Sequence, residues 1–195
     1  MFEIRRREQL TPNIYLMEIS AYWVARAAKP GQFIIIIIDD KGERIPLTIC
    51  DYNKEEGTIT IVFQIVGKST EKLAKLGKGN KLKDVVGPLG KESLLMYVPE
   101  EERANKRILF IGGGVGTAPI YPQVKWVKEN GMKVGISIKP NTKIEEVKGQ
   151  KLKGTVLENC DENIKNVKKV ILGTAVVEGA GALLYMTVFV PEYGL

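Results

Sequence analysis

Between two apolar runs lies the stretch Gly42-Glu43-Arg44-Ile45-Pro46-Leu47-Thr48-Ile49, preceded by Phe33–Ile38 and followed by Thr58–Val66. An arginine grips a phosphate through a forked, charge-assisted pair of hydrogen bonds, and a proline stiffens the chain so that it can lie flat beside a ring. A threonine hydroxyl both donates and accepts hydrogen bonds. The combination favours a phosphorylated aromatic ligand, and the alternative interpretation is an ordinary surface turn between two strands.

Short strands surround this stretch. Residues 2–19 predict two strands and a turn, and Gln32–Asp39 predicts an isoleucine-rich strand covered on both faces. Ile45–Asp51, Thr58–Val66 and Lys81–Gly90 add further strands. Strands separated by turn residues at intervals of about eight to twelve positions are typical of a small barrel.

A helical pattern follows the strand Thr58–Val66. Ser69–Leu76 places its leucines on one face, and Gly77 ends the pattern. The segment Gly67-Lys68-Ser69-Thr70 therefore opens a helix, where free backbone amides, a lysine and two hydroxyls favour a bound phosphate. The alternative is a serine or threonine N-cap with nothing bound.

A second glycine-rich segment, Gly112-Gly113-Gly114-Val115-Gly116-Thr117, follows the predicted buried strand Arg107–Ile111. A helix over Pro122–Asn130 and a strand over Lys133–Ile138 come next. In such a strand, loop, helix and strand unit a nucleotide phosphate can approach the glycine backbone. Thr117 stands where Gly-x-Gly-x-x-Gly has its third glycine, so the segment taken alone indicates little.

Bulk properties exclude several function classes. A chain of 195 residues with 44% hydrophobic and 27% charged residues suits one large globular domain or two small ones. The net charge of +6 is spread along the chain, so we expect no nucleic-acid binding. The absence of a long apolar segment and of a signal-peptide pattern predicts a cytoplasmic protein without membrane insertion.

The chain contains no histidine and two isolated cysteines, Cys50 and Cys160. Histidine-dependent nucleophilic catalysis, histidine-ligated metals, a disulfide framework and a four-cysteine site are therefore excluded. We expect no catalytic side chain and no metal site. A bound cofactor must supply any demanding chemistry.

Several motifs occur in an order and spacing that resemble the ferredoxin–NADP reductase superfamily: Pro30-Gly31-Gln32-Phe33, Arg44–Thr48, Gly67–Thr70, Gly87-Pro88-Leu89-Gly90 and Gly112–Pro119. The resembling branch holds the electron-transfer subunit of dihydroorotate dehydrogenase and the small subunit of ferredoxin:NADP oxidoreductases, also called sulfide dehydrogenases. The resemblance is close over about residues 1–135 and weak beyond them.

This resemblance implies a six-stranded antiparallel flavin-binding barrel over residues 1–100. It also implies a shortened Rossmann-like NAD(P)-binding α/β domain, truncated or divergent, over residues 101–195. The family's FAD-binding positions correspond to Arg44, Pro46, Leu47, Thr48, Gln64, Ile65, Val66, Gly67, Ser69 and Thr70. The family's nicotinamide-nucleotide loop corresponds to Gly112, Gly113, Gly114, Val115, Gly116 and Thr117.

The implied function is that of a flavoprotein electron-transfer subunit. It would pass electrons between NAD(P)H and a larger iron–sulfur or flavin partner subunit through FAD, as a heteromer active only with that partner. Lys139 and Lys143, near the end of the second strand, favour NADP over NAD. The alternative is a non-catalytic flavin-binding or regulatory subunit with an incomplete nucleotide domain.

The resemblance weakens after Pro140. Relatives have a longer nucleotide domain and then a cysteine-rich loop that holds a two-iron, two-sulfur cluster, whereas Ala182–Met186 occupies that place here. Cluster ligands are thiolates, so we expect no iron–sulfur cluster in this chain. The sequence leaves open whether this region is natural, truncated or joined from another sequence.

A second resemblance concerns the same region. Gly131–Thr142 and Leu184–Val188 are similar to strands of the ribulose-phosphate 3-epimerase barrel. That enzyme type needs histidine metal ligands, and the lack of histidine argues against a metal-dependent epimerase.

Overall fold

The computed structural model describes residues 2–112, 114–138, 146–148, 151–153 and 186–190. The chain divides into two compact units. The first unit comprises residues 1–93 with Tyr121–Gln123, and the second comprises residues 94–120 with 124–195.

The first unit is built on one antiparallel sheet, whose strands are β1 (Phe2–Thr11), β2 (Ile14–Ser20), β3 (Phe33–Ile37), β4 (Arg44–Asn53), β5 (Thr58–Gln64), β6 (Lys81–Leu82) and β7 (Asp84–Leu89). Their order is β6-β1-β2-β5-β4-β3-β7. The two edge strands, β6 and β7, are consecutive in the chain. The sheet must therefore curve until its edges approach, which makes it a nearly closed barrel and confirms the predicted antiparallel barrel.

The barrel has seven strands rather than the six expected. The last predicted strand is divided at Lys83, whose backbone N–H donates to the Ile38 carbonyl at 3.1 Å. On one side of this break Leu82 pairs with Phe2 of β1, and on the other side Asp84 pairs with Ile37 of β3. The segment thus passes from one edge of the sheet to the other, which requires the interruption.

Alternating apolar side chains form the barrel core. On β3, Ile34 and Ile36 are fully buried, whereas Ile35 and Ile37 are only half-buried. Successive side chains of a strand point to opposite faces, so the second pair lies on the outer surface of the barrel. The inner face of this isoleucine run is therefore fully covered and its outer face is partly covered, so the prediction of cover on both faces holds only in part for the outer face.

Two short helices belong to the first unit, α1 (Tyr22–Ala27) and α2 (Lys68–Ala74). Helix α2 buries Leu73 and Ala74 in the barrel core. The predicted helix over Ser69–Leu76 is confirmed with its buried Leu73, but it begins one residue earlier, at Lys68, and ends at Ala74, before Leu76.

The second unit contains a parallel pair of strands joined through a helix. Its first elements are a 3-10 turn at Leu94–Tyr97, α3 (Glu100–Arg103), β8 (Arg107–Gly112), a 3-10 turn at Gly114–Thr117, α4 (Tyr121–Glu129) and β9 (Lys133–Ile138). Strands β8 and β9 run parallel, from the pair Arg107 and Lys133 to the pair Gly112 and Ile138. Phe110 of β8 and Val127 of α4 are fully buried in the core of this unit.

Three more strands complete the described part of the second unit: β10 (Glu146–Lys148), β11 (Lys151–Lys153) and β12 (Met186–Val190). Strand β12 pairs antiparallel with β8 on the side away from β9, and β10 pairs with β11. Among the helices of the described residues, none has the length and apolar character needed to cross a membrane.

Candidate functional site

The outer face of β4 carries three of the predicted ligand-binding residues. Ile45 and Ile49 are buried in the barrel core. Because side chains alternate along a strand, Arg44, Pro46 and Thr48 lie on the opposite, outer face.

Leu47, also predicted to contact the ligand, lies on the inner face of β4. It is partly buried and packs against the barrel core. Its side chain therefore faces away from Arg44, Pro46 and Thr48, and only its backbone belongs to the outer surface.

Strand β5 brings Gln64 to the same end of the sheet. Ile61 of β5 pairs with Ile49 of β4, and both are buried. In an antiparallel pair, Gln64 and Pro46 both lie three positions beyond this pair in the same direction. Phe63 is buried, so Gln64 faces outward, as Pro46 does.

After β5 the chain leaves the sheet. Ile65 packs partly against the barrel core, whereas Val66 is 58% exposed. The backbone N–H groups of Val66 and Gly67 donate to the Thr70 hydroxyl at 3.0 and 3.1 Å, and that hydroxyl donates to the Gly67 carbonyl at 2.9 Å. The Thr70 hydroxyl thus closes the turn before α2 and has no hydrogen left for a phosphate.

Ser69 reaches back to the start of β4. Its hydroxyl donates to the carboxylate of Glu43, the residue immediately before Arg44. Lys72, one turn further along α2, forms an ion pair with Asp39. Two side-chain contacts therefore join α2 to the β3–β4 turn, and one of them links Ser69 to the residue immediately before Arg44.

The charges of the β3–β4 turn are unevenly matched. Its carboxylates Asp39 and Asp40 pair with Lys72 and Lys83. The hydrogen bond from Lys72 lowers the pKa of the Asp39 carboxyl, which keeps that ion pair charged. Within the described residues, the exposed guanidinium of Arg44 has no hydrogen-bond or ion-pair partner.

Gly67 borders open space. A β-carbon built on Gly67 would have no atom within 4 Å, and the backbone there is extended. Within the described part of the chain, the partnerless Arg44 guanidinium, the Thr48 hydroxyl and the flat Pro46 ring provide the donors and the shape that a phosphorylated ring compound requires. The residues of the first unit thus fit a flavin nucleotide.

The described residues of the second predicted segment belong to two elements, since Gly112 ends β8 and Gly114–Thr117 forms a 3-10 turn. A β-carbon on Gly112 would lie 2.8 Å from Ile120 Cδ1 and 3.3 Å from Thr117 Cγ2. The backbone N–H of Ala118 donates to the Val115 carbonyl at 3.1 Å, which holds the 3-10 turn containing Gly114, Val115, Gly116 and Thr117. Gly112 is therefore needed for packing of the loop itself.

Some predicted positions lie outside the described residues: Gly113 of the loop, Lys139, Lys143 and residues 182–185. Cys50 of β4 is buried, and burial raises the pKa of its thiol to about 11. A thiol in that state is a poor nucleophile. Within the described residues, no group of three or more His, Cys, Asp or Glu side chains is arranged to hold a metal ion.

Sequence reasoning missed the role of Glu43 beside Ser69. The two residues are 26 positions apart, and no spacing rule links them. The one available signal was that Glu43 directly precedes the predicted phosphate-binding arginine.

No protein-family model matches the chain. It is 48% identical over 165 residues to an uncharacterized protein in the adh 3' region of Clostridium beijerinckii, covering 83% of this chain and 56% of that protein. It is 38% identical over 141 residues to the dihydroorotate dehydrogenase B (NAD(+)) electron transfer subunit homolog of Thermotoga maritima, covering 72% and 48%. The electron transfer subunit of Fusobacterium nucleatum is 33% identical over 145 residues, with coverage of 73% and 54%.

Solved structures show the same relationship. The NADH-dependent reduced ferredoxin-NADP oxidoreductase, described in connection with flavin-based electron bifurcation, aligns with a TM-score of 0.66 and 38% identity over 73% of this chain and 49% of that one. Phthalate dioxygenase reductase aligns with a TM-score of 0.53 at 16% identity over 71% of this chain and 42% of that one, and so shows the shared fold.

The chain spans about half the length of the curated relatives that it matches. The relatives and the barrel confirm the resemblance predicted from the motifs. The chain belongs to the ferredoxin–NADP reductase superfamily, in the branch of the dihydroorotate dehydrogenase electron-transfer subunits.

Proposed function

We propose that this chain is a flavoprotein electron-transfer subunit that moves electrons between NAD(P)H and a larger redox partner through FAD. The observation that carries the proposal is the outer face of β4. There an unpaired Arg44 lies in line with Pro46 and Thr48, and Glu43 connects its start to Ser69.

In this proposal each residue of that face has a separate task. Arg44 binds a flavin phosphate, because its guanidinium is exposed and uncommitted among the described residues. Thr48 donates or accepts a hydrogen bond at the edge of the isoalloxazine ring, and Pro46 supports the ring. FAD, when bound, supplies hydride acceptance and electron release, so no side chain of this chain needs to act as an acid or a base.

The nucleotide side of the proposal rests on the second unit. Parallel strands joined through a helix, with a glycine loop after the first strand, are the arrangement of a shortened Rossmann-like nucleotide-binding domain. The loop Gly112–Thr117 would admit NAD(P)H. Residues 101–195 are then the nucleotide domain and residues 1–100 the flavin domain.

The partner is proposed from the relatives. Curated proteins 31–38% identical to this chain are named as electron transfer subunits or their homolog. We infer a larger partner with iron–sulfur or flavin centres and activity that depends on it.

An absorption spectrum tests the proposal directly. The purified chain, supplied with FAD and desalted, should show flavin bands that bleach anaerobically on addition of NADH or NADPH. Arg44→Ala serves as the matched variant and should lose most of the bound flavin.

Three results separate the alternatives. Bleaching by one nucleotide supports the electron-transfer subunit and identifies that nucleotide. Bands that persist with both nucleotides favour the non-catalytic flavin-binding subunit. A chain that refuses FAD altogether overturns the flavin site.

A further inference from the structure

The hydroxyl of Ser69 has one acceptor in the structure and, at the proposed flavin site, would have a second. A serine hydroxyl has one hydrogen to donate, and in the structure Ser69 gives it to the Glu43 carboxylate. A phosphate at physiological pH is also an acceptor. The carboxylate and a flavin phosphate therefore compete for the same hydrogen.

Glu43 differs from the other carboxylates of its turn. Asp39 and Asp40 each form an ion pair with a lysine, Lys72 and Lys83. The partner of Glu43 among the described residues is the neutral Ser69 hydroxyl. A hydrogen bond to a neutral hydroxyl is more easily exchanged than an ion pair that also hydrogen-bonds, because it lacks the charge attraction.

A phosphate bound between Arg44 and Ser69 would also lie close to the Glu43 carboxylate. The phosphate and the Glu43 carboxylate are both anions and repel each other at short distance. The exposed position of Glu43 lets its side chain rotate into solvent. The hydrogen bonds between the phosphate and Arg44 would offset the loss of the Ser69–Glu43 hydrogen bond. A phosphate must therefore contact both Arg44 and Ser69 to bind well.

We propose that Glu43 holds the Ser69 hydroxyl in the flavin-free chain and is displaced from it by the phosphate of the flavin nucleotide. Glu43 is then a specificity-determining residue. It weakens binding of every phosphorylated flavin by a fixed factor and leaves binding of unphosphorylated riboflavin unaffected. The inference rests on the proposed flavin site at Arg44 and Ser69.

Titrations of the full chain with FAD and with riboflavin, followed by flavin fluorescence, test this inference. For Glu43→Gln the FAD dissociation constant should fall by about two- to fivefold, the range expected for removing one exposed like-charge contact. Riboflavin binding should not change. The matched control is Glu55→Gln, which removes the same charge from the exposed β4–β5 turn and should leave both constants as in the unaltered chain.

A second variant isolates the hydroxyl. The Ser69→Ala chain has no Ser69 hydroxyl for Glu43 to hold. In that background, Glu43→Gln should therefore improve the free energy of FAD binding by less than half as much as it does in the unaltered chain. An equal gain in both backgrounds would mean a general charge effect and would overturn the inference.

The remaining outcomes are equally decisive. If the unaltered chain binds FAD and Glu43→Gln binds it no more tightly, the inference fails while the proposed flavin site stands. If neither binds FAD, the proposed function fails and the inference fails with it. A gain that appears equally for riboflavin would place the effect at the ring and would overturn the displacement by phosphate.

Discussion

The two glycine segments predicted to receive phosphates differ in what surrounds the glycine. At Gly67 a β-carbon would meet no atom within 4 Å. At Gly112 the same β-carbon would lie 2.8 Å from the side chain of Ile120. Gly67 therefore borders open space, whereas the space beside Gly112 is occupied by side chains of the same unit.

The two segments also differ in how they are assembled. Ser69 of the segment Gly67–Thr70 is joined to Glu43, a residue from a distant part of the chain, and Lys72, two residues after the segment, is joined to Asp39. The loop Gly112–Thr117 is held by local hydrogen bonds, such as the bond from Ile120 N–H to the Thr117 carbonyl at 3.2 Å. The open space at Gly67 leaves room for a ligand, whereas Gly112 serves the packing of its own segment.

Removing the cation beside the open segment should have the largest effect on the first site. Arg44→Ala deletes charge-assisted hydrogen bonds worth about 1.5–3 kcal/mol each, so the FAD dissociation constant should rise at least roughly tenfold. The thermal midpoint should stay near that of the unaltered chain, because Arg44 is exposed. Fluorescence titration and thermal denaturation measure the two quantities.

Two further variants make this test specific. Arg44→Lys keeps the charge and loses the fork, so its FAD affinity should fall between that of the unaltered chain and that of Arg44→Ala. Arg6→Ala removes an equal charge from the exposed pair with Glu8 on β1 and should bind FAD normally. Near-normal flavin retention in Arg44→Ala would contradict the assignment of Arg44.

A pair of matched substitutions tests the contrast between the glycines. Gly67→Ala should leave the free energy of unfolding nearly unchanged, and its methyl should intrude on the ligand at a cost of about 1–3 kcal/mol in FAD binding. Gly112→Ala should lower the free energy of unfolding by about 1–3 kcal/mol, because the methyl enters a packed core beside Ile120. It should leave FAD affinity unchanged.

Urea denaturation and FAD titration on both variants give four values. The contrast holds if Gly67→Ala loses FAD affinity and Gly112→Ala loses stability. A Gly67→Ala variant that unfolds more easily and binds FAD normally would show that this glycine serves packing as well.

Much of the barrel was predictable because its signals are local. The alternation of apolar residues in Thr58–Gln64 indicates β5, and the predicted strand begins at the same residue, Thr58. The turn residues after β1 and the leucine spacing of α2 are signals of the same kind. Each depends on residues within a few positions of one another.

The errors and omissions concern contacts between distant residues. The break at Lys83 follows from barrel closure, which needs both edges of the sheet. Ile35 and Ile37 are only partly covered because they lie on the outer face of that sheet. Neither feature can be predicted from the spacing of apolar residues, since a continuous isoleucine run is compatible with one covered face or two.

The roles of the two hydroxyls at the open segment were also hidden from the sequence. Ser69 and Thr70 both suit a phosphate by residue type. Only the structure shows that Thr70 closes its own turn while Ser69 bonds to Glu43. Residue type predicted the candidates, and contact geometry is what separates them.

The different roles of Ser69 and Thr70 predict the smallest of the expected effects, a difference in the free energy of unfolding. Thr70→Ala removes the acceptor of the Val66 and Gly67 N–H groups, so unfolding should become easier by about 1 kcal/mol, the usual value of a lost helix cap. Ser69→Ala removes one bond between exposed groups and should change the free energy of unfolding by less than about 0.5 kcal/mol. Urea denaturation of both variants, with Thr70→Ser as the variant that keeps the hydroxyl, measures the difference. If Ser69→Ala were the more destabilising substitution, the contact with Glu43 would be structural, and the hydroxyl of Ser69 would no longer be available to a ligand.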